Sequence, residues 1–113
     1  MGRNTLGALE QSIMMVILAL QDGAYGVAIR DELSRRTRRD HSFGAVYTTL
    51  DRLESKGLIG SRLGEATAQR GGRAKRYFTL TPEGQTALKL AIEVQDHLGD
   101  GIGIGETRRT GEA

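Results

Sequence analysis

A cluster of positive charge surrounds the glycine pair at positions 71 and 72. Four cations fall within seven residues of the chain: Arg70, Arg73, Lys75 and Arg76. Basic side chains grouped in this way neutralise phosphates and release condensed counterions, so they could bind a nucleic acid in a salt-dependent manner. The alternative is a solvated loop without a ligand, because a charge run is usually a wet surface. The cluster alone does not decide between the two.

Residue types that support catalysis are present, but their spacing does not suit it. Asp40-His41-Ser42 contains the types of a catalytic triad, yet three consecutive residues cannot present nucleophile, base and orienting group together. His97 has no second histidine or carboxylate cluster at metal-ligand spacing. The glycines between positions 101 and 105 follow no strand and open no helix, as a nucleotide-binding fingerprint requires. The sequence therefore predicts a protein that is not an enzyme and that holds no metal ion or cofactor.

Composition limits the class of protein further. The chain has 113 residues, the size of one domain, and its net charge of +2 does not by itself indicate a polyanionic partner. The absence of cysteine excludes disulfides and thiolate metal sites and is typical of an intracellular protein. The longest apolar run, Ile13 to Leu20, is far shorter than the roughly 20 residues of a membrane span. We therefore expect a cytoplasmic protein that does not enter the membrane.

Two helices are predicted before the first basic stretch. Apolar residues at spacings of three and four indicate one helix over residues 6 to 21 and a second over residues 24 to 36. Gly26, at the start of the second helix, would allow the close approach of a neighbour. Four arginines follow at its end: Arg35, Arg36, Arg38 and Arg39. They either face a phosphate or complement the helix dipole on a solvated surface, and we favour the second interpretation.

A third helix is predicted over residues 43 to 56. Ser42 is a favourable N-cap, and Val46, Leu50 and Leu53 recur at i, i+4 and i+7. Gly57 follows at the position where a helix commonly ends in a left-handed residue. The second and third helices together predict a helix-turn-helix unit with a somewhat long turn.

The outer face of the third helix is the second candidate binding surface. It is small or polar, and it consists of Gly44, Ala45, Thr48 and Arg52, with Ser42 at the cap and Tyr47 on the flank. Small residues at the helix start permit close approach, Thr48 can contact base edges, and Arg52 can reach guanine or phosphate. Ser42 can bind a phosphate together with backbone amides. Tyr47 can either donate to a phosphate or pack over the neighbouring helix.

Beyond Gly57 the apolar period changes to two. Strands are predicted from Leu58 to Leu63 and from Lys75 to Leu80, joined through residues 64 to 74, which contain Arg70 and Arg73 of the cationic cluster. Thr81-Pro82 then opens a last helix as N-cap and first helical residue. The sequence thus predicts a hairpin with a flexible, cationic tip.

The first and last helices carry more apolar surface than a small domain can cover. The first is apolar nearly all round, and the last spreads its apolar residues over about 200° of arc. We therefore expect both helices to contact a second subunit, so that the protein forms a homodimer. The residues expected at this contact are Leu9, Ile13, Met14, Ile17, Leu90, Val94 and Leu98.

These elements predict a mainly α fold with a small β-hairpin, a winged helix-turn-helix. Residues 1–84 would form the winged helix-turn-helix, 85–98 a C-terminal dimerisation helix, and 99–113 a flexible, glycine-rich tail. In this architecture the third helix enters the major groove of double-stranded DNA and the wing contacts the backbone or minor groove. The residues expected to bind DNA are Ser42, Gly44, Ala45, Tyr47, Thr48, Arg52, Arg70, Arg73, Lys75 and Arg76. The alternative is a winged helix that serves as a protein-interaction or assembly module without DNA; the basic residues favour DNA.

Several short motifs occur in a fixed order between about residues 6 and 84. They are Tyr25-Gly26; the run Gly44 to Leu50 with Leu53 to Ile59; Arg70-Gly71-Gly72-Arg73 with Lys75-Arg76-Tyr77-Phe78; and Leu80-Thr81-Pro82-Glu83-Gly84. In this order and spacing they resemble the PadR-type winged-helix transcriptional regulators.

The resemblance implies a homodimeric bacterial DNA-binding regulator, generally a repressor, that acts at the nucleoid. It implies a dimer contact through the first and last helices, and a dimer binds a pseudo-palindromic operator with half-sites about one helical turn apart. Family members can bind aromatic small molecules near the dimer interface, often against aromatic side chains. This chain departs from that pattern, with no Trp, three Tyr and two Phe, and a small-molecule effector stays unidentified.

Overall fold

The structure, a computed structural model, describes residues 5–64 and 74–103. Its elements are α1 (Ala8–Leu20), α2 (Gly26–Thr37), α3 (Phe43–Ser55), β1 (Ile59–Leu63), β2 (Arg76–Leu80) and α4 (Pro82–Gly99). A short 3-10 turn, Gln21–Gly23, follows α1. This is the predicted mainly α fold with a two-stranded antiparallel hairpin. The boundary expected after residue 84 lies inside α4, so the last helix is continuous with the unit before it.

The core lies where α1, α2 and α3 meet the hairpin. Ile13, Met14 and Ile17 of α1 are at most 2% exposed, and Ile29 and Leu50 pack with them from α2 and α3. Each such side chain contributes roughly 1.5–3 kcal/mol by its burial. The inner apolar face of α1 is therefore covered within one chain.

This packing corrects the expectation that Ile13, Met14 and Ile17 contact a second subunit. Leu9 is half-buried against the same core, and the large apolar side chains that α1 leaves exposed are Met15 and Leu18.

None of the helices in the described part of the chain is long and apolar enough to cross a bilayer.

The end of α3 is fixed by a Schellman motif, the turn in which two amides fold back onto the last helical carbonyls. Gly57 has φ +77°. Its N–H donates to the Glu54 carbonyl, and the Leu58 N–H donates to the Leu53 carbonyl, both at 3.0 Å. The predicted helix stop is confirmed, and it fixes the direction in which the chain leaves α3.

The start of α4 is joined directly to that turn. The Thr81 N–H donates to the Leu58 carbonyl at 3.0 Å, and the Thr81 hydroxyl donates to the Gly57 carbonyl at 2.8 Å. The same hydroxyl accepts from the Gly84 N–H at 3.0 Å, as an N-cap does. A Cβ on Gly84 would lie 1.9 Å from the Leu58 carbonyl oxygen. We call these four residues the α3–α4 joint; only glycine lets the two backbones meet there.

The hairpin is anchored to the helices by a third backbone segment. β1 and β2 pair from Ile59 opposite Leu80 to Leu63 opposite Arg76. Tyr25 forms an isolated antiparallel bridge with Tyr77, and the Phe78 N–H donates to the Ala24 carbonyl at 2.8 Å. The segment before α2 therefore lies along β2 as a rudimentary third strand.

Glu10 is a buried carboxylate that links α1 to the end of α3. Its Oε1 accepts from the Gly7 N–H at 2.9 Å, and its Oε2 pairs with Lys56 Nζ at 3.0 Å. Burial alone would raise the pKa of Glu10, but the hydrogen bonds from Gly7 and Lys56, with the charges of Lys56 and Arg52, outweigh it and lower that pKa.

Gly84→Ala is expected to destabilise the protein by about 3 kcal/mol, because the added methyl group collides with backbone rather than with a flexible side chain. Gly60→Ala is the matched control, since a Cβ there meets nothing within 4 Å. Urea unfolding followed by circular dichroism measures both. Equal stabilities of the two variants would contradict the geometry of the joint.

Glu10→Gln is expected to cost about 1–3 kcal/mol near pH 7, because it leaves the Lys56 ammonium without its partner. Since folding lowers the pKa of Glu10, the carboxylate contributes stability above its ordinary pKa of 4.5 and loses that contribution as the pH falls through the lower folded value. The difference between wild type and variant in urea unfolding should therefore shrink towards about pH 3. Glu93→Gln, at an exposed position of α4, should show no such difference at either pH.

Candidate nucleic-acid interface

The turn between α2 and α3 is held by hydrogen bonds to His41. Arg30 Nε donates to the His41 carbonyl at 2.8 Å, and the His41 N–H donates to Ser34 Oγ at 3.1 Å. The His41 ring lies 3.0 Å from the Thr37 hydroxyl. Ser42 Oγ, next in the chain, accepts from the Ala45 N–H at 3.0 Å as the predicted N-cap. His41 and Ser42 thus set the position of α3 on α2.

The outer face of α3 is exposed as predicted. Val46, Leu50 and Leu53 are buried in the core. The opposite residues are all exposed: Ser42, Gly44, Ala45, Thr48 and Arg52. α3 therefore presents a small, polar face to solvent along its N-terminal half, with Arg52 one turn beyond Thr48.

Tyr47 lies on the flank of α3 that faces the start of α2. Its ring stacks on Phe43 with centroids 6.2 Å apart, and a Cβ on Gly26 would lie 2.3 Å from the Tyr47 hydroxyl oxygen. Gly26 thus makes room for the Tyr47 ring, which is the close approach expected for this glycine. Tyr47 remains 42% exposed, so packing over α2 leaves part of the side chain at the surface.

The arginines at the end of α2 differ in their pairing. Arg35 and Arg36 both donate to the Glu32 carboxylate, and these hydrogen bonds lower the pKa of Glu32 to about 2. Arg38 and Arg39 follow in the exposed turn. Local pairing with Glu32 agrees with the interpretation of Arg35 and Arg36 as a solvated surface.

The cations expected on the wing fall into three groups. Arg70 and Arg73 lie outside the described residues. Lys75 is exposed, and its Nζ lies 5.0 Å from the centroid of the Tyr25 ring. Arg76 is paired: its NH2 lies 2.6 Å from Glu54 Oε1, and its Nε donates to Ser61 Oγ at 3.1 Å.

The pairing of Arg76 gives it a structural role besides its predicted one. Glu54 belongs to α3, and its second carboxylate oxygen accepts from Ser61 at 2.8 Å. A polar network of Arg76, Glu54 and Ser61 therefore attaches the root of the hairpin to α3. Glu54 partly compensates the charge of Arg76, whose side chain helps to hold the hairpin and stays half exposed.

α4 leaves exposed the three residues that were expected to contact a second subunit. Leu90, Val94 and Leu98 are each more than half exposed. Leu90 and Val94 line a groove of about 700 Å³ that α4 forms with Leu6 and Leu58. The groove is lined mainly by apolar side chains, and the described residues leave it uncovered.

Three contributions to the site were not found in the sequence. Arg30 holds the turn and also lies over the Phe43 ring at 4.7 Å. Tyr25 and Tyr77 pack edge to face at 5.6 Å. The Tyr25-Gly26 motif drew attention to residue 25, but no periodicity in the sequence relates residues 25 and 77.

Among the described residues there is no group of three His, Cys, Asp or Glu that could hold a metal ion.

A helix-turn-helix whose second helix has an exposed face, followed by a β-hairpin packed against that helix, defines the class of winged-helix DNA-binding proteins. The sequence profile of the transcriptional regulator PadR-like family matches residues 14–90, and the chain belongs to this family. It is therefore a DNA-binding transcription regulator and not an enzyme, as its residues predicted.

Solved structures agree with this assignment. A PadR-like transcription factor from Bacteroides fragilis is 25% identical, with 83% of this chain and 85% of that chain covered and a TM-score of 0.68. A PadR family regulator from Clostridium difficile R20291 is 31% identical over 78% and 88% of the two chains, with a TM-score of 0.60. RosR from H. salinarum is 25% identical over 99% and 91%, with a TM-score of 0.63. This neighbour is archaeal, so the comparisons do not restrict the fold to bacteria. No curated protein matches the chain.

Proposed function

We propose that the chain acts as a cytoplasmic homodimeric repressor that binds a pseudo-palindromic operator at the nucleoid. In each subunit α3 enters the major groove, and residues 64–74 of the wing lie on the sugar–phosphate backbone or in the minor groove. Repression follows because a dimer bound beside a promoter blocks the polymerase. The observation that carries the proposal is the small, polar, exposed face along the N-terminal half of α3. Arg30 holds the turn before this helix, and Ser42 caps its start.

Base readout is assigned to the exposed face of α3. Gly44 and Ala45 allow the helix to approach the floor of the groove, and Thr48 offers a hydroxyl and a methyl group to base edges. Arg52 forms no ion pair with the described residues, so its guanidinium is available to guanine or phosphate. A good bidentate contact of this kind discriminates by about 1–3 kcal/mol.

Backbone contacts are assigned to the cations and hydroxyls that flank this face. Ser42 and Tyr47 lie at the start and side of α3, and Lys75 lies at the root of the wing. Arg70 and Arg73 join this set from their position in the sequence. Such contacts fix the register of the protein on the duplex without reading its sequence.

Dimerisation is assigned to α4 and to the exposed side of α1. Leu90, Val94 and Leu98 would lose a solvent-exposed apolar surface on contact with a second copy, and Met15 and Leu18 are the corresponding exposed residues on α1. None of the residues that line the α4 groove is aromatic. An aromatic effector is therefore not part of the proposal.

The test is a titration of labelled duplex DNA over a range of salt concentrations, using sites selected from a random duplex library. Affinity should fall steeply with salt, and the logarithmic slope should lose about 0.9 for each phosphate contact removed. Arg73→Ala should weaken binding to all sequences and lower the salt slope by about 0.9. Thr48→Ala should instead change the preference among sequences.

Arg35→Ala is the matched control, because it removes the same charge from an arginine that is paired with Glu32. It should leave the salt slope unchanged. Affinity independent of salt, or no enriched sequence in the selection, would show that the protein is an interaction module instead.

A further inference from the structure

All three tyrosines of the chain lie along one strip of surface between α3 and the root of the hairpin. The strip begins at Tyr47, whose ring covers Gly26 at the start of α2. Tyr25 is the residue directly before Gly26, so the backbone beneath the Tyr47 ring leads directly to Tyr25.

From Tyr25 the strip continues onto the hairpin. Tyr25 packs edge to face on Tyr77 with centroids 5.6 Å apart and an interplanar angle of 66°. The two residues also form a backbone bridge, which fixes their relative position. A Cβ on Gly64 would lie 2.6 Å from the Tyr77 ring, so glycine at this position provides the space that the ring occupies.

Two exposed cations are seated on these rings. Lys75 Nζ lies 5.0 Å from the Tyr25 centroid, and the Arg62 guanidinium carbon lies 4.9 Å from the Tyr77 centroid. Neither forms an ion pair with any described residue. This distinguishes them from Arg30, which is paired with Asp31, and from Arg76, which is paired with Glu54.

We propose that this tyrosine strip, made of Tyr47, Tyr25, Tyr77, Lys75 and Arg62, binds one sugar–phosphate strand of duplex DNA. Lys75 and Arg62 neutralise phosphates, and the tyrosine rings pack against deoxyribose while their hydroxyls donate to phosphate oxygens. The proposal rests on the proposed function. It adds Arg62, Tyr25 and Tyr77 to the residues that contact the DNA backbone.

Charge placement favours a phosphate backbone as the occupant. Lys75 and Arg62 are held by ring contacts and have no ion-pair partner among the described residues, so they lose less side-chain freedom on binding than cations on a free loop would. The strip is also continuous with the outer flank of α3, where the backbone of a duplex must pass if α3 enters the major groove. A backbone contact at the root of the hairpin is then independent of residues 65–73.

The competing interpretation is that the rings only attach the hairpin to α2. Fluorine NMR separates the two, because 3-fluorotyrosine incorporated throughout the chain gives one signal for each of its three tyrosines. Single Tyr→Phe variants assign the signals while keeping the rings packed. The ligand is a mixed-sequence duplex of about 30 base pairs, roughly three helical turns, at low salt.

Binding should change the chemical shift of all three signals. If only the Tyr47 signal changes, the strip is wrong although α3 still contacts DNA, so the proposed function survives. If no signal changes, both proposals fail together. The two failures are therefore distinguishable in one titration.

The salt dependence gives a second, independent measurement. Arg62→Gln and Lys75→Gln should each reduce the logarithmic salt slope by about 0.9, equally for all duplex sequences. Lys89→Gln, which removes the same charge from an exposed position on α4, is the matched control and should not change the slope. Unchanged slopes in the first two variants, with wild-type thermal unfolding, would overturn the proposal.

Discussion

The backbone contact between Leu58 and Gly84 is the constraint on which the rest of the structure depends. The Schellman turn at Gly57 brings the Leu58 carbonyl to the Thr81 N–H, and Gly84 lets α4 begin against that carbonyl. As a result, α3, the helix that we propose to face DNA, and α4, which carries the exposed leucines, share one joint of main-chain hydrogen bonds. In a dimer built on α4, the separation of the two α3 helices would be fixed by this joint rather than by flexible side chains.

Polar networks divide the charged residues between holding the fold and meeting a ligand. Glu10 with Lys56, Glu32 with its two arginines, and Glu54 with Arg76 each compensate cations close to α2, α3 or the hairpin. Arg52, Arg62 and Lys75 lie on this side and form no ion pair with another described residue. Within residues 5–64 and 74–103, positive charge without an ion-pair partner is therefore concentrated beside α3 and the hairpin root, although the net charge of the chain is only +2.

The elements could be predicted from sequence because their signals are local. Gly57 ends a helix through its own backbone freedom, Thr81-Pro82 starts one, and alternation marks the strands. The contacts that could not be predicted join distant positions: Glu10 to Lys56 and Tyr25 to Tyr77. The apolar pattern of α1 was assigned partly to a second subunit because hydrophobicity shows that a face is covered, but not which chain covers it. The ion pair of Arg76 with Glu54 could not be predicted for a similar reason, since it depends on tertiary structure.

The distance between the two α3 helices of a dimer tests the central claim most directly. The chain has no cysteine, so Ser55→Cys gives a single spin-label site at the exposed end of α3. Pulsed electron paramagnetic resonance should show a narrow distribution of label-to-label distances that does not change when DNA is added. The absence of dipolar coupling, or a broad distribution that narrows only on DNA, would contradict an α3 spacing fixed by the α3–α4 joint.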